Sequence, residues 1–160
     1  MKNIQFAIIG LFAMAFLASA DIVSELRPAI NEAAAKNNVD PVLMEAIIRL
    51  ESGNATSRAA RTKNNLAGIM GRKGQRSYST QEECVQHLGS ILGSYKAKGR
   101  VTVAQIARTY CQARGPWTRR VTAFMEQIRS GRWGRLDDPR FSPNTAKEAP
   151  RRSRWSLFRI

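Results

Sequence analysis

The segment from Asp40 to Gly53 carries the signals of both helix ends, and it constrains the fold more than any other part of the chain. Asp40 is a favoured N-cap residue, and Pro41 fits the first helical position, where its missing N–H is not needed. Gly53 suits the left-handed residue that follows a helix. Between these ends, Glu45 and Arg49 lie four residues apart and form the single polar stripe. We therefore expect a helix that is exposed to water along that stripe and apolar elsewhere.

Glu51 lies on the apolar side of this predicted helix. At about 100° per residue, it is roughly 140° from the centre of the polar stripe, and it follows Ile47 by one helical turn. A carboxylate in such surroundings is costly unless it has a partner or carries a proton, and the negative end of the helix dipole also favours the protonated form. A general acid that works near neutral pH needs these conditions. The alternative is that Glu51 emerges from a frayed helix end, solvated or paired with an arginine.

The rest of the segment from residue 21 to 134 is also dominated by helical periodicity. Apolar residues recur at helical spacing in residues 22–33, and capping patterns start two further helices at Thr80 and Thr102. A last apolar stripe begins at Trp117 and stops at Gly131. These patterns predict a single helical domain.

Residues 54–79 interrupt this pattern. They are rich in Gly, Asn, Ser, Arg and Lys, with a small apolar group around residues 66–70, and they predict a long loop or a few short turns. No segment alternates with period 2 for long enough to demand a sheet. The predicted fold class is therefore all-α.

Both ends of the chain differ from this domain. Residues 1–20 have a short basic start, an apolar run from Ile4 to Leu17 and an A-x-A pattern, which predict a secretory signal peptide, with an uncleaved signal anchor as the alternative. Residues 135–160 contain seven basic and three acidic residues and three prolines, which predict a mobile tail. At its end, residues 151–160, arginines are interleaved with large apolar residues, which suits contact with an anionic membrane or envelope; a disordered basic tail without that role is the alternative. We expect an exported protein that works in the periplasm, the cell envelope or the extracellular space.

The formal net charge of +14 at pH 7 is the main compositional signal. It indicates a polyanionic partner, or else a basic solvated surface with no dedicated partner. Because export argues against nucleic acid, an anionic cell wall or anionic lipid is the expected partner.

The two cysteines, Cys84 and Cys111, predict one disulfide in an exported chain, and two free buried thiols are the alternative. His87 is the single histidine, so neither a Ser-His-Asp triad nor a multi-histidine zinc site has support. We expect His87 to be a surface or half-buried residue. We expect no metal and no cofactor.

A resemblance to lysozyme-like peptidoglycan-cleaving enzymes is carried by residues 39–70, which read VDPVLMEAIIRLESGNATSRAARTKNNLAGIM. The segment is most similar to the bacterial and phage glucosaminidase family and shares features with soluble lytic transglycosylases. The likeness extends over about residues 22–130, because Tyr78-Ser79, Tyr110 and Trp117 with Val121 follow in the family's order. It implies a lysozyme-like helical domain of the goose-type or lytic transglycosylase kind, acting as a monomer on peptidoglycan glycan strands.

The resemblance also assigns site residues. Glu51, at the end of a Glu-Ser-Gly helix, matches the catalytic acid, and Tyr110 matches a tyrosine near it that orients the carboxyl or the sugar. From spacing alone, Tyr110 is equally well a core aromatic. Ser52 and Asn65 are expected to hydrogen-bond Glu51 or an N-acetyl group of the substrate. The other expected substrate-binding residues are Leu66, Gly68, Met70 and Tyr78.

One departure from the family bears on the mechanism. Glucosaminidases of this kind usually insert a β-hairpin with a second acidic residue before the Tyr-Ser motif, whereas residues 70–77 here contain no Asp or Glu. Glu82 and Glu83 are the nearest substitutes, and both fit better as helix caps. Hydrolysis of a glycosidic bond normally uses two carboxylates.

Lytic transglycosylation needs only one carboxylate. In that family's mechanism the glutamate protonates the bond between muramic acid and glucosamine, and then accepts a proton from the 6-hydroxyl of muramic acid, which closes on the anomeric carbon. We therefore expect Glu51 to act alone as acid and base in a lytic transglycosylase. The alternatives are a hydrolytic N-acetylglucosaminidase or muramidase, and a non-catalytic basic protein that binds cell wall or membrane.

Overall fold

The computed structural model describes residues 21–133, which form seven helices and one short hairpin. The helices are α1 (Ile22–Glu25), α2 (Arg27–Asn37), α3 (Pro41–Ser52), α4 (Arg58–Lys63), α5 (Gln81–Ala97), α6 (Val103–Tyr110) and α7 (Arg114–Arg129). The antiparallel hairpin pairs β1 (Met70–Gly71) with β2 (Gly74–Gln75). The predominance of helix confirms the predicted fold class. The predicted signal peptide and basic tail lie outside the described residues, and no helix within residues 21–133 is long and apolar enough to cross a bilayer.

The helix ends form where the sequence signals them. The carboxylate of Asp40 accepts a hydrogen bond from the N–H of Val42, and Gly53 ends α3 in the left-handed region with φ +58°. Thr102 and Gln105 form a complete capping box at the start of α6. These signals act within one turn of the chain, so they can be read without knowing the tertiary structure.

Residues 22–33 form two helices where the periodicity predicts one. The break falls at Leu26, just before α2, and Pro28 lies in the first turn of α2. In a continuous helix Pro28 would have to donate to the carbonyl of Ser24, which it cannot do because it has no N–H. The proline therefore separates α1 from α2.

Helix α3 is central to the fold and packs against both α2 and α7, while α2 packs on α5 and α6 on α7. Every residue of α3 from Val42 to Arg49 is buried. Close approach of α2 to α5 depends on Gly89, because a Cβ there would lie 3.1 Å from the carbonyl oxygen of Ala33. Helix α3 is thus fixed on several sides, which determines where its C-terminal end lies.

The predicted polar stripe of α3 is wrong, because Glu45 and Arg49 are only 1% and 0% exposed. Arg27 donates to both oxygens of Glu45 at 2.9 Å. Arg49 donates to Glu45 Oε1 and to Asp21 Oδ2, each at 2.7 Å. The two arginines and two carboxylates balance in charge, which makes their burial tolerable. Helical periodicity could not reveal this network, because half of its members precede α3 in the sequence.

The predicted loop at residues 54–79 contains a helix and a hairpin, so that prediction is also wrong in part. The hydroxyl of Ser57 caps α4 by accepting from the N–H of Ala60, and the helix ends at Asn64, which has φ +51°. The two strands that follow have two residues each, which is too short for any alternation to show in the sequence.

Cys84 and Cys111 are both free thiols in the structure, which does not contain the predicted disulfide. Cys84 is fully buried in α5, where its sulfur accepts a 3.3 Å hydrogen bond from the N–H of Leu66. Cys111 is the half-buried C-cap residue of α6. Burial raises the pKa of the Cys84 thiol, which keeps it in the neutral form. The sequence left open one disulfide or two free buried thiols; the structure contains two free thiols, of which Cys84 is buried and Cys111 half-buried.

Candidate active site

The carboxylate of Glu51 is held from two sides at the end of α3. Its Oε1 accepts a 2.7 Å hydrogen bond from the indole N–H of Trp117 in α7. Its Oε2 lies against Gly68, where a Cβ would come within 2.9 Å of that oxygen. The residue is half-buried. Glu51 is therefore an ordered residue facing α7, and an indole is the partner that the structure gives it.

This arrangement distinguishes the two oxygens of Glu51. An indole N–H only donates, so Oε1 acts as an acceptor, and a proton carried by Glu51 belongs on Oε2. Oε2 accepts no hydrogen bond from the described residues, and it lies beside Gly68 at the edge of a cleft. One oxygen thus orients the carboxyl group, while the other is available to exchange a proton with a bound molecule.

The cleft has a volume of about 600 Å³, which is in the range of ligand-binding pockets. Among the described residues, Glu51 supplies the only carboxylate of the lining. Most of the remaining lining is polar or cationic and comes from α4, the loop after it and β2: Ser57, Arg58, Thr62, Lys63, Asn65 and Gln75. Such a lining suits a polar, hydroxylated ligand with negative charge.

Glu82 and Glu83 do not contribute to this lining. The carboxylate of Glu83 accepts a 2.8 Å hydrogen bond from the N–H of Ser79, and the hydroxyl of Thr80 accepts one from the N–H of Glu83. Glu82 is exposed in the first turn of α5. Glu83 therefore caps α5, with its reciprocal bond to Ser79 rather than to Thr80, whereas Glu82 forms no capping hydrogen bond with the described residues.

Tyr110 lies in the same region as Glu51, but its hydroxyl donates to the carbonyl oxygen of Ala67 at 2.6 Å. Its ring packs against Trp117 with centroids 5.2 Å apart. Burial of the hydroxyl, together with the negative charge of Glu51, raises the pKa of Tyr110 well above its usual value, so the phenol remains a donor. Tyr110 therefore positions the two residues that hold the carboxyl group of Glu51: Trp117 directly, and Gly68 through its neighbour Ala67.

The structure gives Ser52 a role different from the predicted one. Its buried hydroxyl donates to the carbonyl of Ile48 at 2.6 Å and accepts from the N–H of Ala55 at 2.8 Å. A hydroxyl has a single hydrogen to donate, so the predicted hydrogen bond from Ser52 to Glu51 is not formed. Ser52 instead stabilises the turn that follows α3.

Asn65 lines the cleft, but most of its amide is already used. Its Nδ2 donates to the carbonyls of Ile69 and Arg76 at 2.8 and 2.9 Å, and its Oδ1 accepts from the N–H of Ile69 at 3.0 Å. Only one lone pair of Oδ1 remains for a ligand. The main effect of Asn65 is to fix the loop that carries Gly68 to the hairpin.

The other predicted substrate-binding residues divide by burial. Leu66 is fully buried in the core, whereas Met70 in β1 is 66% exposed. Tyr78 is buried, and its hydroxyl lies 2.8 Å from Nδ1 of the half-buried His87. Burial raises the pKa of Tyr78 to about 12 and lowers the pKa of His87. Gly68 and Asn65 are the predicted binding residues that line the cleft, so substrate contact stays a prediction for them.

Sequence reasoning did not assign Trp117 to the site. A buried tryptophan needs an acceptor for its indole N–H, and a carboxylate on an apolar face needs a donor. These two unmet requirements together were the signal that pairs Trp117 with Glu51. The cleft positions of Arg58 and Lys63 were also missed, because the predicted loop hid α4.

Within residues 21–133, no group of three or more His, Cys, Asp or Glu side chains is arranged to hold a metal ion. What the described residues do provide is an oriented carboxyl group in a polar cleft. This combination suits general-acid chemistry on a polar substrate.

Comparison with protein families agrees with this chemistry. A family model for glucosaminidases, described as mannosyl-glycoprotein endo-beta-N-acetylglucosaminidase, matches residues 27–130. The match extends from the start of α2 through α7, and the chain belongs to this family of lysozyme-like peptidoglycan hydrolases. The assignment confirms the predicted lysozyme-like fold, the enzyme class and the peptidoglycan substrate. Searches of curated proteins and of solved structures gave no match.

Proposed function

We propose that this protein cleaves the β-1,4-linked glycan strands of peptidoglycan with Glu51 as its general acid. The observation that carries the proposal is the carboxyl group of Glu51, oriented by Trp117 and by Gly68 at the edge of a polar cleft. Family membership supplies the reaction class, which is glycoside cleavage in the cell wall.

Hydrolysis is the first candidate, because the family consists of peptidoglycan hydrolases. The proton on Oε2 of Glu51 passes to the glycosidic oxygen, and the leaving sugar departs as an alcohol. The carbonyl oxygen of the neighbouring 2-acetamido group attacks the anomeric carbon and forms a cyclic oxazolinium ion. Water then opens this ring at the anomeric carbon and returns a proton to Glu51. This substrate-assisted route needs one protein carboxylate, in agreement with the described cleft.

Lytic transglycosylation is the second candidate, and the same single carboxylate supports it. In this reaction the 6-hydroxyl of muramic acid replaces both the acetamido group and water. Glu51 first donates its proton to the leaving oxygen and then accepts the hydroxyl proton as the 1,6-anhydro ring closes. The family assignment supports hydrolysis more strongly, so the sequence-based expectation of a transglycosylase takes second place.

The products distinguish these candidates. The full chain is incubated with purified peptidoglycan, and the fragments are analysed by mass spectrometry with and without borohydride reduction. We expect reducible ends, with N-acetylglucosamine at the end for a glucosaminidase and N-acetylmuramic acid for a muramidase. Anhydromuramic ends that resist reduction would overturn hydrolysis in favour of transglycosylation.

The Glu51→Gln variant tests the role of the acid. General acid–base catalysis contributes roughly 10²- to 10⁴-fold, so we expect a rate loss of that order while binding to peptidoglycan is retained. A variant as active as the parent would exclude Glu51 as the acid. A parent that releases no fragments would leave the remaining alternative, a wall-binding or membrane-binding protein.

We further propose that the protein is exported and acts as a monomer in the periplasm, the envelope or the extracellular space. The substrate supports this location, and the signal-like residues 1–20 agree with it. Mass spectrometry of the protein recovered from the envelope tests its export, and its elution volume in size-exclusion chromatography tests whether it is a monomer.

Deletion of residues 151–160 tests the proposed contact of the basic tail with anionic membranes. Unchanged binding to anionic vesicles at low salt would exclude that contact.

A further inference from the structure

Residues 57–76 form a lobe beside the cleft that carries an unusual concentration of positive charge. The lobe comprises α4, the loop after it and the hairpin. From Ser52 to Gln81 the chain contains no Asp or Glu. The same stretch contains six cationic residues, all within the lobe: Arg58, Arg61, Lys63, Arg72, Lys73 and Arg76.

These six side chains form no ion pair with the described residues, in contrast to several arginines elsewhere. Arg49 is paired with carboxylates in the core, and Arg129 is paired with Asp40 at the surface. In the lobe, Lys63 donates only to the carbonyl of Gln75 at 3.3 Å, which leaves its charge uncompensated. Like charges that are gathered without counter-charges repel one another, so the lobe is suited to an anion supplied by a ligand.

The lobe is attached to the catalytic cleft by defined contacts. Arg58 and Lys63 line the cleft together with Glu51. Asn65 donates to the carbonyl of Arg76, the residue after β2, which fixes the hairpin to the loop that carries Gly68. The unpaired charges are therefore held beside the acid and extend from the cleft to the tip of the hairpin.

We propose that this cationic lobe binds the carboxylates of the peptide stems on the glycan strand, so that the enzyme selects peptide-bearing strands over bare ones. The inference rests on the proposed function, because the stems are attached to the muramic acid residues next to the cleaved bond. A strand from which an amidase has removed the stems keeps one lactyl carboxylate on each muramic acid, close to the sugar ring. An intact stem carries more than one carboxylate and holds them farther from the ring, where they can reach the lobe.

Phosphate polymers of the wall are also anionic, so the binding experiment uses ligands that distinguish stem carboxylates from wall phosphates. Binding is measured with the full chain carrying Glu51→Gln, which prevents degradation of the ligand. The first ligand is peptidoglycan from which phosphate polymers have been removed. The second is the same material after an amidase has removed the peptide stems.

At low salt we expect the first ligand to bind roughly 3- to 30-fold more tightly than the second, as a few exposed ion pairs allow. The preference should disappear at about 1 M salt, where the Debye length is about 3 Å. Equal affinity for both ligands at low salt would overturn the inference. Binding that is lost when the phosphate polymers are removed would assign the lobe to phosphate instead and would also overturn it.

A double variant at the hairpin tip, Arg72→Gln with Lys73→Gln, tests the lobe itself. Both residues are exposed, so the fold should tolerate the change. We expect affinity for the peptide-bearing ligand to fall by several-fold and affinity for the bare ligand to change little. The matched control is Lys36→Gln with Lys98→Gln. It also removes two exposed positive charges, but both lie outside the lobe and the cleft. If the control weakens binding as much as the hairpin variant, only net charge matters and the inference fails.

The outcome is separable from that of the proposed function. Binding by the Glu51→Gln chain does not require turnover, so the lobe can be tested even if the parent releases no fragments. In the converse result, the enzyme cleaves bare and peptide-bearing strands at equal rates, and binding is unaffected by the hairpin variant. That result would agree with the proposed function and would overturn the inference about the lobe.

Discussion

Trp117 donates its indole N–H to Glu51 across 2.7 Å, and this bond joins α7 to the last turn of α3. The two residues are 66 positions apart in the sequence. Tyr110 packs against the same indole and also holds the carbonyl of Ala67, next to Gly68. The orientation of the acid thus depends on three separate segments of the chain, and each can be tested separately.

Replacement of Trp117 by Phe keeps a large ring and removes the N–H donor. Hydrogen bonds to charged groups contribute about 1.5–3 kcal/mol, so we expect kcat to fall by roughly 10- to 100-fold while KM changes little. Steady-state kinetics on soluble peptidoglycan fragments measures both. The matched control is Trp133→Phe, because the indole N–H of Trp133 is buried with no hydrogen-bond partner among the described residues. Equal effects of the two substitutions would show that the bond to Glu51 has no special role.

Gly68→Ala tests the close approach of the loop to the acid. The new Cβ would lie 2.9 Å from Oε2 of Glu51, so the carboxyl group or the loop has to move. We expect a loss of activity of about 100-fold or more, with destabilisation of about 1–2 kcal/mol from the left-handed backbone. Gly99→Ala is the control, since Gly99 has a similar φ of +74° but nothing within 4 Å of the added carbon. If both variants lose only stability, contact with Glu51 is not what Gly68 provides.

Local signals explain why much of α3 could be predicted from the sequence. The N-cap at Asp40, the left-handed Gly53 and the apolar side that carries Glu51 all depend on neighbours within one or two turns. The fold class followed from the same kind of evidence, because helical periodicity repeats along most of residues 21–133. The Glu-Ser-Gly resemblance then predicted Glu51 as the acid.

Two of the departures from prediction, in α3 and at Cys84, have a common physical cause, which is that partners distant in sequence decide the outcome. Glu45 and Arg49 look exposed until their distant partners are known, which are Arg27 for Glu45 and Asp21 for Arg49. Cys84 looks available for a disulfide until its sulfur is found buried in the core against the N–H of Leu66. Hydrogen bonds and burial between distant elements belong to the tertiary structure, and helical periodicity in the sequence does not reveal them.

Ser52→Ala separates the predicted role in the site from the structural role. Loss of the hydroxyl leaves the buried N–H of Ala55 without its acceptor, so we expect a decrease of about 1–3 kcal/mol in the free energy of unfolding and nearly unchanged kcat. Urea denaturation and kinetics provide the two measurements. Thr56→Ala is the control, because the Thr56 hydroxyl donates to the carbonyl of Gly53 at an exposed position and should cost less. A large loss of kcat in a stable Ser52 variant would restore its role at the substrate.

The state of the cysteines can be tested by counting thiols. Without reductant, we expect the unfolded chain to react at both Cys84 and Cys111. In the folded protein, the half-buried Cys111 should react first, since burial raises the pKa of the Cys84 thiol and limits access to it. Alkylation followed by mass spectrometry measures both rates, and Cys111→Ser should remove the fast phase. Reactivity that appears only after reduction would instead establish the disulfide.

Acid should weaken the fold through Asp21, which binds Arg49 at the edge of the buried charge network. Burial alone would raise the pKa of Asp21, but hydrogen bonds from Arg49 and Ser24, with the charge of Arg49, outweigh it and hold the pKa below its usual 3.8. A carboxyl whose pKa is lower in the folded state stabilises the protein above the unfolded value, and this contribution is lost as the pH falls from about 4 through the folded value. We therefore expect the free energy of unfolding, measured in urea between about pH 2 and 6, to fall more steeply in the parent than in Asp21→Asn. Parallel curves for the two proteins would mean that the ion pair between Asp21 and Arg49 does not contribute to stability.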